Sequence, residues 1–178
     1  MTADAATSTM EDREPVNLRC AVLVLRDNAV LLCRRTEQEN MWVLPGGTPR
    51  RAEAIAAAAR REVAEETGLQ IVAERVAFVL ETTSWDAEHH LIEIVFIGAE
   101  VDPGAQPRQL EDALVPSFVP LDGLEKIGLR PPIAGYVRGY ARSLRTRRDP
   151  RWSTSAYLGN VWRPAADEDI PATPKSFG

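Results

Sequence analysis

The segment from Gly47 to Leu69, GTPRRAEAIAAAARREVAEETGL, restricts the fold of this chain more than any other stretch. A run of alanines through its middle favours a helix. The pattern predicts that this helix begins near Ala52, which would put Glu53 in its first turn. Gly68 is expected to end the helix, because glycine readily takes the left-handed conformation that follows a last helical turn.

The glutamates of this predicted helix are placed in a pattern that suggests a site. At about 100° per residue, Glu62, Glu65 and Glu66 share one face, and the apolar side chains fall on the same side. Carboxylates turned toward protein are costly unless something positive meets them, and clustered carboxylate oxygens suit Mg²⁺. A solvated acidic face is the alternative. Glu53 lies about 180° from Glu62 on this wheel, so it is not expected to join the same cluster.

The spacing also resembles a known family motif. Gly47 is followed at the required intervals by Glu53, by Arg61-Glu62-Val63, by Glu65-Glu66 and by Gly68-Leu69, which together fill every defined position of the Nudix box. The preceding Trp42-Val43-Leu44-Pro45-Gly46 also resembles the sequence that leads into that box. The chain is therefore similar to the Nudix hydrolases, strongly over Gly47–Leu69 and more weakly from Leu18 to Ala141.

This resemblance implies a fold and a reaction. The fold is an α/β/α sandwich with a mixed β-sheet between helices. The reaction is Mg²⁺-dependent hydrolysis, with Mn²⁺ as a substitute, of the pyrophosphate bond in a nucleoside diphosphate linked to another moiety. The implied metal ligands are Glu62, Glu65, Glu66 and the carbonyl of Gly47. The implied catalytic groups are Glu62 or Glu111 as general base, Glu65, and Glu53 and Arg61 in support.

Several residues are candidates for binding the substrate. Arg34 and Arg35 end a predicted strand, where they would meet a substrate phosphate or serve as ordinary surface charge. Trp85 lies in a predicted loop and would stack on a nucleobase or anchor that loop on the core. Gly46 lets the backbone approach a ligand closely.

Other substrates, and a function without hydrolysis, are also compatible with the sequence. No proline lies between Leu69 and Asp102 and no tyrosine between Leu69 and Tyr136, so the simple signatures of the ADP-ribose and dinucleoside-polyphosphate branches are missing. The alternatives are a (d)NTP pyrophosphatase and a Nudix-fold sensor that binds a nucleotide without cleaving it. An isoprenoid diphosphate isomerase is disfavoured, because Cys20 and Cys33 lie in predicted strands.

The remainder of the chain divides into three parts. Residues 1–15 are predicted to form a flexible arm, residues 16–148 the hydrolase domain, and residues 149–178 an extension that packs in part and has a mobile end. Trp152, Tyr157 and Trp162 make the extension too apolar for a free tail. The arm and the extension are compatible with a homodimer.

Composition narrows the partners and the compartment. The 178 residues carry a net charge of −5, which gives no general attraction for nucleic acid or an anionic membrane. No apolar run is long enough to span a bilayer, and the N-terminus lacks a secretory pattern. The two cysteines read as buried, reduced side chains. The prediction is a cytoplasmic enzyme acting on a small nucleotide.

Overall fold

A computed structural model gives the fold of this protein and describes residues 16–83, 90–146 and 156–162. The predicted arm at residues 1–15, the side chains of Trp85 and Trp152, and the end of the chain at residues 163–178 lie outside the described residues.

The described ranges contain nine strands and two α-helices. The strands are β1 (Val16–Arg26), β2 (Ala29–Arg35), β3 (Met41–Val43), β4 (Gly46–Gly47), β5 (Ile71–Thr83), β6 (His90–Glu100), β7 (Leu114–Pro120), β8 (Gly128–Leu129) and β9 (Ala156–Trp162). The helices are α1 (Ile55–Thr67) and α2 (Ala134–Thr146), and a 3-10 helix spans Leu121–Lys126.

The strands form one mixed sheet in the order β8-β3-β2-β1-β6-β5-β9, with β4 paired to β1 and β7 paired to β2. The pairs β1/β6, β3/β8 and β5/β9 are parallel, and the other pairs are antiparallel. The β9 strand belongs to the predicted C-terminal extension, and it lies beside β5 at one end of this order.

Each face of the sheet carries its own core and its own helix. Alternate residues of a strand point to opposite faces. Accordingly Cys20 and Val22 of β1 pack in the cluster that contains α1, whereas Ala21 and Leu23 pack in the cluster that contains Tyr140 of α2. A mixed sheet with a helix on either face is the α/β/α arrangement that the sequence predicts.

Different parts of β1 pair with different strands, and this pairing positions the loop before α1. One end of β1 pairs with β2 through Leu25 and Arg26, while Cys20 and Ala21 pair with Gly47 and Gly46 of β4. The carbonyl of Pro45 also accepts a hydrogen bond of 3.0 Å from Val22. The glycine loop is therefore held against the middle of the sheet, directly beside α1, which packs on β1, β4 and β5.

The end of α1 is confirmed and its predicted beginning is wrong. Gly68 has a φ of 71°, and its N–H reaches the carbonyl of Ala64, as expected for a glycine that ends a helix. The helix begins at Ile55 rather than near Ala52, because Ala52 has a φ of 61° in a turn that a continuous helix cannot contain. Glu53 therefore precedes the first helical turn.

Neither helix in the described ranges is both long and apolar enough to cross a bilayer.

Candidate functional site

Arg61 is the centre of a charged network that connects α1 to the turn before it. Its Nε and Nη2 atoms donate to the two carboxylate oxygens of Glu53, both at 2.8 Å. Its Nη1 atom donates to Glu62 at 2.7 Å and to Glu65 at 2.8 Å. A guanidinium presents its donors in a rigid fork, so one side chain fixes the orientation of three carboxylates.

Glu53 joins this network because it lies outside the helix. The turn before α1 also brings the backbone N–H of Arg50 within 2.8 Å of its carboxylate. The hydrogen bonds from Arg61, followed by that backbone bond, lower the pKa of Glu53 to about 2. The helical wheel placed Glu53 opposite Glu62, and that placement is wrong because the wheel assumed a helix through residue 53.

Glu66 is the buried member of the acidic face. The residue is 6% exposed, and one of its carboxylate oxygens accepts a hydrogen bond of 3.0 Å from the backbone of Gly46. Burial raises the pKa of Glu66 to about 7, against the lowering effects of Arg19 and of the Gly46 N–H, and the charges of Glu111 and Glu62 raise it further. This carboxylate lies where its own negative charge is poorly compensated.

The three helical glutamates differ in exposure. The side chain of Glu62 is 15% exposed and that of Glu65 is 41% exposed, so the acidic face runs from the protein interior at Glu66 to solvent at Glu65. Arg50 donates to Glu65 at 3.1 Å from the solvent side. The face is neither fully buried nor a plain solvated surface.

The absence of a side chain at Gly47 makes room for Glu62. A Cβ atom built on Gly47 would lie 2.5 Å from the carboxylate carbon of Glu62. The carbonyl of Gly47 accepts a hydrogen bond of 3.2 Å from the thiol of Cys20. The box glycine is therefore in direct contact with a helical carboxylate, which places a backbone carbonyl and an acid side chain in one small region.

Glu111 approaches the acidic face from a separate loop. That loop is tied down on both sides, because the N–H of Arg108 donates to the carbonyl of Thr67 at 2.9 Å and the N–H of Thr36 donates to the carbonyl of Ala113 at 3.0 Å. Glu111 is exposed, yet it is close enough to Glu66 to raise the pKa of that carboxylate.

These oxygens match the chemistry of a hard divalent cation. No three acidic, histidine or cysteine side chains of the described ranges form a ready-made cage for a metal ion, and Arg61 binds two of the helical carboxylates. The buried Glu66, its like-charged neighbours and the carbonyl of Gly47 nevertheless fit a cation bound by a few protein oxygens together with water and substrate.

A cavity of about 260 Å³ lies next to this acidic face. Arg19 connects the two regions, because it lines the cavity, donates to the carbonyl of Leu44 at 2.9 Å and lowers the pKa of Glu66. The lining includes one buried acid, Glu93, and four residues with apolar side chains. The full lining consists of Arg19, Arg35, Gln38, Met41, Val43, Thr82, Leu91, Glu93, Arg130 and Pro131.

The predicted substrate-binding residues are distributed unevenly around this cavity. Arg35 lines it and Arg34 does not, since neighbouring residues of β2 point to opposite faces. Gly46 does not line it either, and it contributes its N–H to Glu66 instead. Trp85 lies outside the described residues.

Sequence reasoning missed Arg19 and Glu93. They lie 3.5 Å apart, Nε to carboxylate oxygen, on the parallel strands β1 and β6. A signal was present, because each is a lone charge inside an apolar strand, LRCAVLVL for Arg19 and LIEIVFIG for Glu93. A charge in such a run needs a partner, but sequence alone does not reveal which strands are neighbours.

Comparisons with known proteins agree with this geometry. A family model described as the NUDIX domain matches residues 16–140. An ADP-ribose pyrophosphatase of Methanocaldococcus jannaschii is 32% identical over 111 residues, which make up 59% of this chain and 62% of the relative. This chain thus spans less than two thirds of that relative's length.

Solved structures share the fold. A MutT protein from Methanosarcina mazei superposes with a TM-score of 0.60 at 25% identity, covering 76% of this chain and 98% of the other. A MutT NUDIX hydrolase from Burkholderia pseudomallei gives a TM-score of 0.54 at 25% identity, covering 61% and 86%. These similarities confirm the α/β/α fold predicted from the sequence.

Proposed function

Because the chain belongs to the Nudix family, we propose that it is a Mg²⁺-dependent pyrophosphohydrolase whose substrate is a nucleoside diphosphate linked to another moiety. The observation that carries this proposal is the buried carboxylate of Glu66, which lies among other acids beside the glycine loop. A pyrophosphate is itself polyanionic, so such a site binds it productively only together with cations.

The cation-binding groups in this proposal are the carboxylates of Glu62, Glu65 and Glu66 and the carbonyl of Gly47. Mg²⁺ is the expected ion and Mn²⁺ its substitute. When bound, a divalent ion neutralises phosphate charge and lowers the pKa of a water molecule. Glu65 is the most exposed of the three helical carboxylates, so we expect it to contribute less to affinity than Glu66.

The remaining residues orient groups and move a proton. Arg61 holds Glu62 and Glu65 in place, and Glu53 fixes Arg61 from the other side. The general base in this proposal is Glu62 or Glu111. Glu111 has the advantage of exposure beside the acidic face, where it can reach a water molecule without first leaving Arg61.

The adjacent cavity would hold the part of the substrate beyond the diphosphate. Its guanidinium groups, including those of Arg19 and Arg35, provide donors for a polyanion entering from the acidic face. Trp85 remains a proposed stacking residue for a base. The archaeal relative, named for ADP-ribose, supports a nucleoside diphosphate linked to a sugar as the first class to test.

Two other functions are retained as alternatives. A (d)NTP pyrophosphatase is the first, because a triphosphate substrate would need the same bridging cations at the acidic face. A sensor that binds without cleaving is disfavoured by the fully connected network around Arg61, since binding alone does not require it. We also propose that the enzyme is cytoplasmic, which two free buried cysteines favour, and that it forms a homodimer.

The proposal is tested by phosphate-coupled turnover on ADP-ribose, nucleotide sugars, dinucleotides, dinucleoside polyphosphates and (d)NTPs. Each is assayed with Mg²⁺, with EDTA, and with the Glu66→Gln and Glu111→Gln variants. Glu74→Gln, an exposed acid on β5, is the matched control. Turnover lost in EDTA and in Glu66→Gln but kept in Glu74→Gln supports the proposal. Tight binding of one substrate without turnover of any would favour the sensor.

A further inference from the structure

Glu93 is a buried acid that the proposed hydrolysis does not use. It is 3% exposed, yet its side chain lines the cavity beside the acidic face. Its ionic contact with Nε of Arg19 is 3.5 Å long, which exceeds an ordinary hydrogen bond. An ionised carboxylate has about four acceptor positions, so this contact leaves most of the acceptor capacity of Glu93 available to a ligand.

The shape of the cavity restricts what such a ligand can be. Its volume of about 260 Å³ lies just below the usual range for ligand pockets, and it is sufficient for one ring system. Met41, Val43, Leu91 and Pro131 provide apolar walls. An aromatic base with a polar edge fits apolar walls and a carboxylate floor better than a sugar, which is polar on all sides.

The location of the cavity connects this ring to the diphosphate. Arg19 lines the cavity and also acts electrostatically on Glu66, so only one side chain separates the two regions. If a diphosphate lies against the acidic face, as in the proposed function, a base attached to it can reach Glu93.

We propose that Glu93 is the specificity-determining residue of this cavity and that it selects guanine. This inference rests on the proposed function. Guanine presents two adjacent N–H donors, at N1 and N2, which match the two oxygens of a carboxylate. Its O6 atom is an acceptor that a guanidinium at the rim, such as that of Arg35, can meet.

The other bases lack this arrangement. Adenine and cytosine place an unprotonated ring nitrogen next to their amino group, and that lone pair would face the carboxylate. Uracil flanks its single N–H with two carbonyl acceptors. Burial raises the pKa of Glu93, while the guanidinium of Arg19 opposes this effect and favours the ionised form. A neutral Glu93 would instead pair with adenine, so selection of adenine is the competing hypothesis.

The test compares GDP-glucose with ADP-glucose, which differ only in the base. We expect the wild-type kcat/KM to favour GDP-glucose by roughly 10- to 100-fold, the range for one good bidentate pair. Glu93→Gln, which replaces one acceptor by a donor, should remove most of that preference. Glu74→Gln, on the neighbouring strand β5 and outside the cavity, should keep it.

Binding of GDP and ADP, measured by calorimetry with Mg²⁺, separates this inference from the proposed reaction. Tighter binding of GDP that is lost in Glu93→Gln supports base selection by Glu93 even if neither sugar nucleotide is hydrolysed, because the hydrolase itself is tested on the wider substrate panel. Circular dichroism verifies that the variant is folded, and Glu93→Asp is the second variant if it is not. Equal binding of both nucleotides, a preference for ADP, or a GDP preference unchanged in the variant would overturn the inference.

Discussion

Arg61 donates two hydrogen bonds of 2.8 Å to the carboxylate of Glu53, although Glu53 lies before the helix that carries Arg61. The same guanidinium reaches Glu62 and Glu65. The turn that ends at Glu53 is thereby connected to the second and third turns of α1. This contact explains how a surface helix keeps several like charges close together.

Replacing Arg61 by lysine should lower kcat while the protein stays folded. A lysine keeps the positive charge but lacks the planar fork that binds both oxygens of Glu53 and reaches Glu62. Loss of an orienting partner beside metal ligands typically costs about 10- to 100-fold in metal affinity or activity. Mg²⁺ titrations of initial rates measure the effect. The control is Arg60→Lys, an exposed neighbour, and equal rates for both variants would contradict the role given to Arg61.

A methyl group at Gly47 should weaken cation binding. The new Cβ atom would lie 2.5 Å from the carboxylate carbon of Glu62, so the carboxylate must move. We expect the Mg²⁺ concentration that gives half-maximal activity to rise about tenfold or more, in line with disturbed metal ligation. Gly135→Ala is the control, because a Cβ atom there meets nothing within 4 Å. An unchanged Mg²⁺ dependence in Gly47→Ala would show that Glu62 does not need its present position.

The buried Glu66 should make stability depend on pH. Its pKa is about 7 in the folded protein against 4.5 for the ordinary carboxyl, so the folded state holds a proton that the unfolded state releases. Between these two values stability should fall as pH rises, by roughly 3 kcal/mol in total. Urea melts in EDTA should show this loss in the wild type relative to Glu66→Gln. The difference between the two proteins should be flat above about pH 7.

Addition of Mg²⁺ provides the complementary check on Glu66. A bound cation favours the ionised carboxylate, so Mg²⁺ at pH 8 should raise the Tm of the wild type more than that of Glu66→Gln. A pH-independent difference between the two proteins in EDTA would mean that Glu66 is already ionised and well compensated without a cation.

The loop that carries Glu111 should loosen when Arg26 is removed. Arg26 donates to the carbonyl of Ala105 at 2.7 Å, pairs with Glu100 and lies 4.1 Å from the ring centre of Phe118. Arg26→Met would leave Glu100 without its charged partner, which should cost about 1–3 kcal/mol of folding free energy. The Tm measured in thermal melts and the kcat should both decrease. Arg51→Met, an exposed arginine, is the control, and a stable variant with reduced kcat would show that the loop acts on catalysis alone.

Much of the fold follows from local sequence patterns. Alanines, inward apolar positions and Gly68 together predict α1 and its end, and the apolar run of β1 predicts a buried strand. The start of α1 was not predictable in this way. A positive φ at Ala52 is set by the surrounding turn, and alanine there is indistinguishable by composition from the helical alanines that follow.

The candidate site was likewise predictable only where its residues are close together in the sequence. Glu62, Glu65 and Glu66 are neighbours on one helix, so spacing alone groups them. Arg19 and Glu93 are brought together only by the parallel pairing of β1 with β6, far apart in sequence. Local periodicity carries no information about which strands become neighbours, and so the cavity could not be predicted.

The most direct test of this account is Mn²⁺ binding followed by electron paramagnetic resonance, in which the signal of the free ion decreases as the ion binds. The wild type should bind Mn²⁺, and Mg²⁺ should compete for the same site. Glu62→Gln and Glu66→Gln should each weaken binding about tenfold or more, while Glu74→Gln should bind like the wild type. Equal Mn²⁺ affinity in all four proteins would contradict the claim that these box carboxylates hold the catalytic cation.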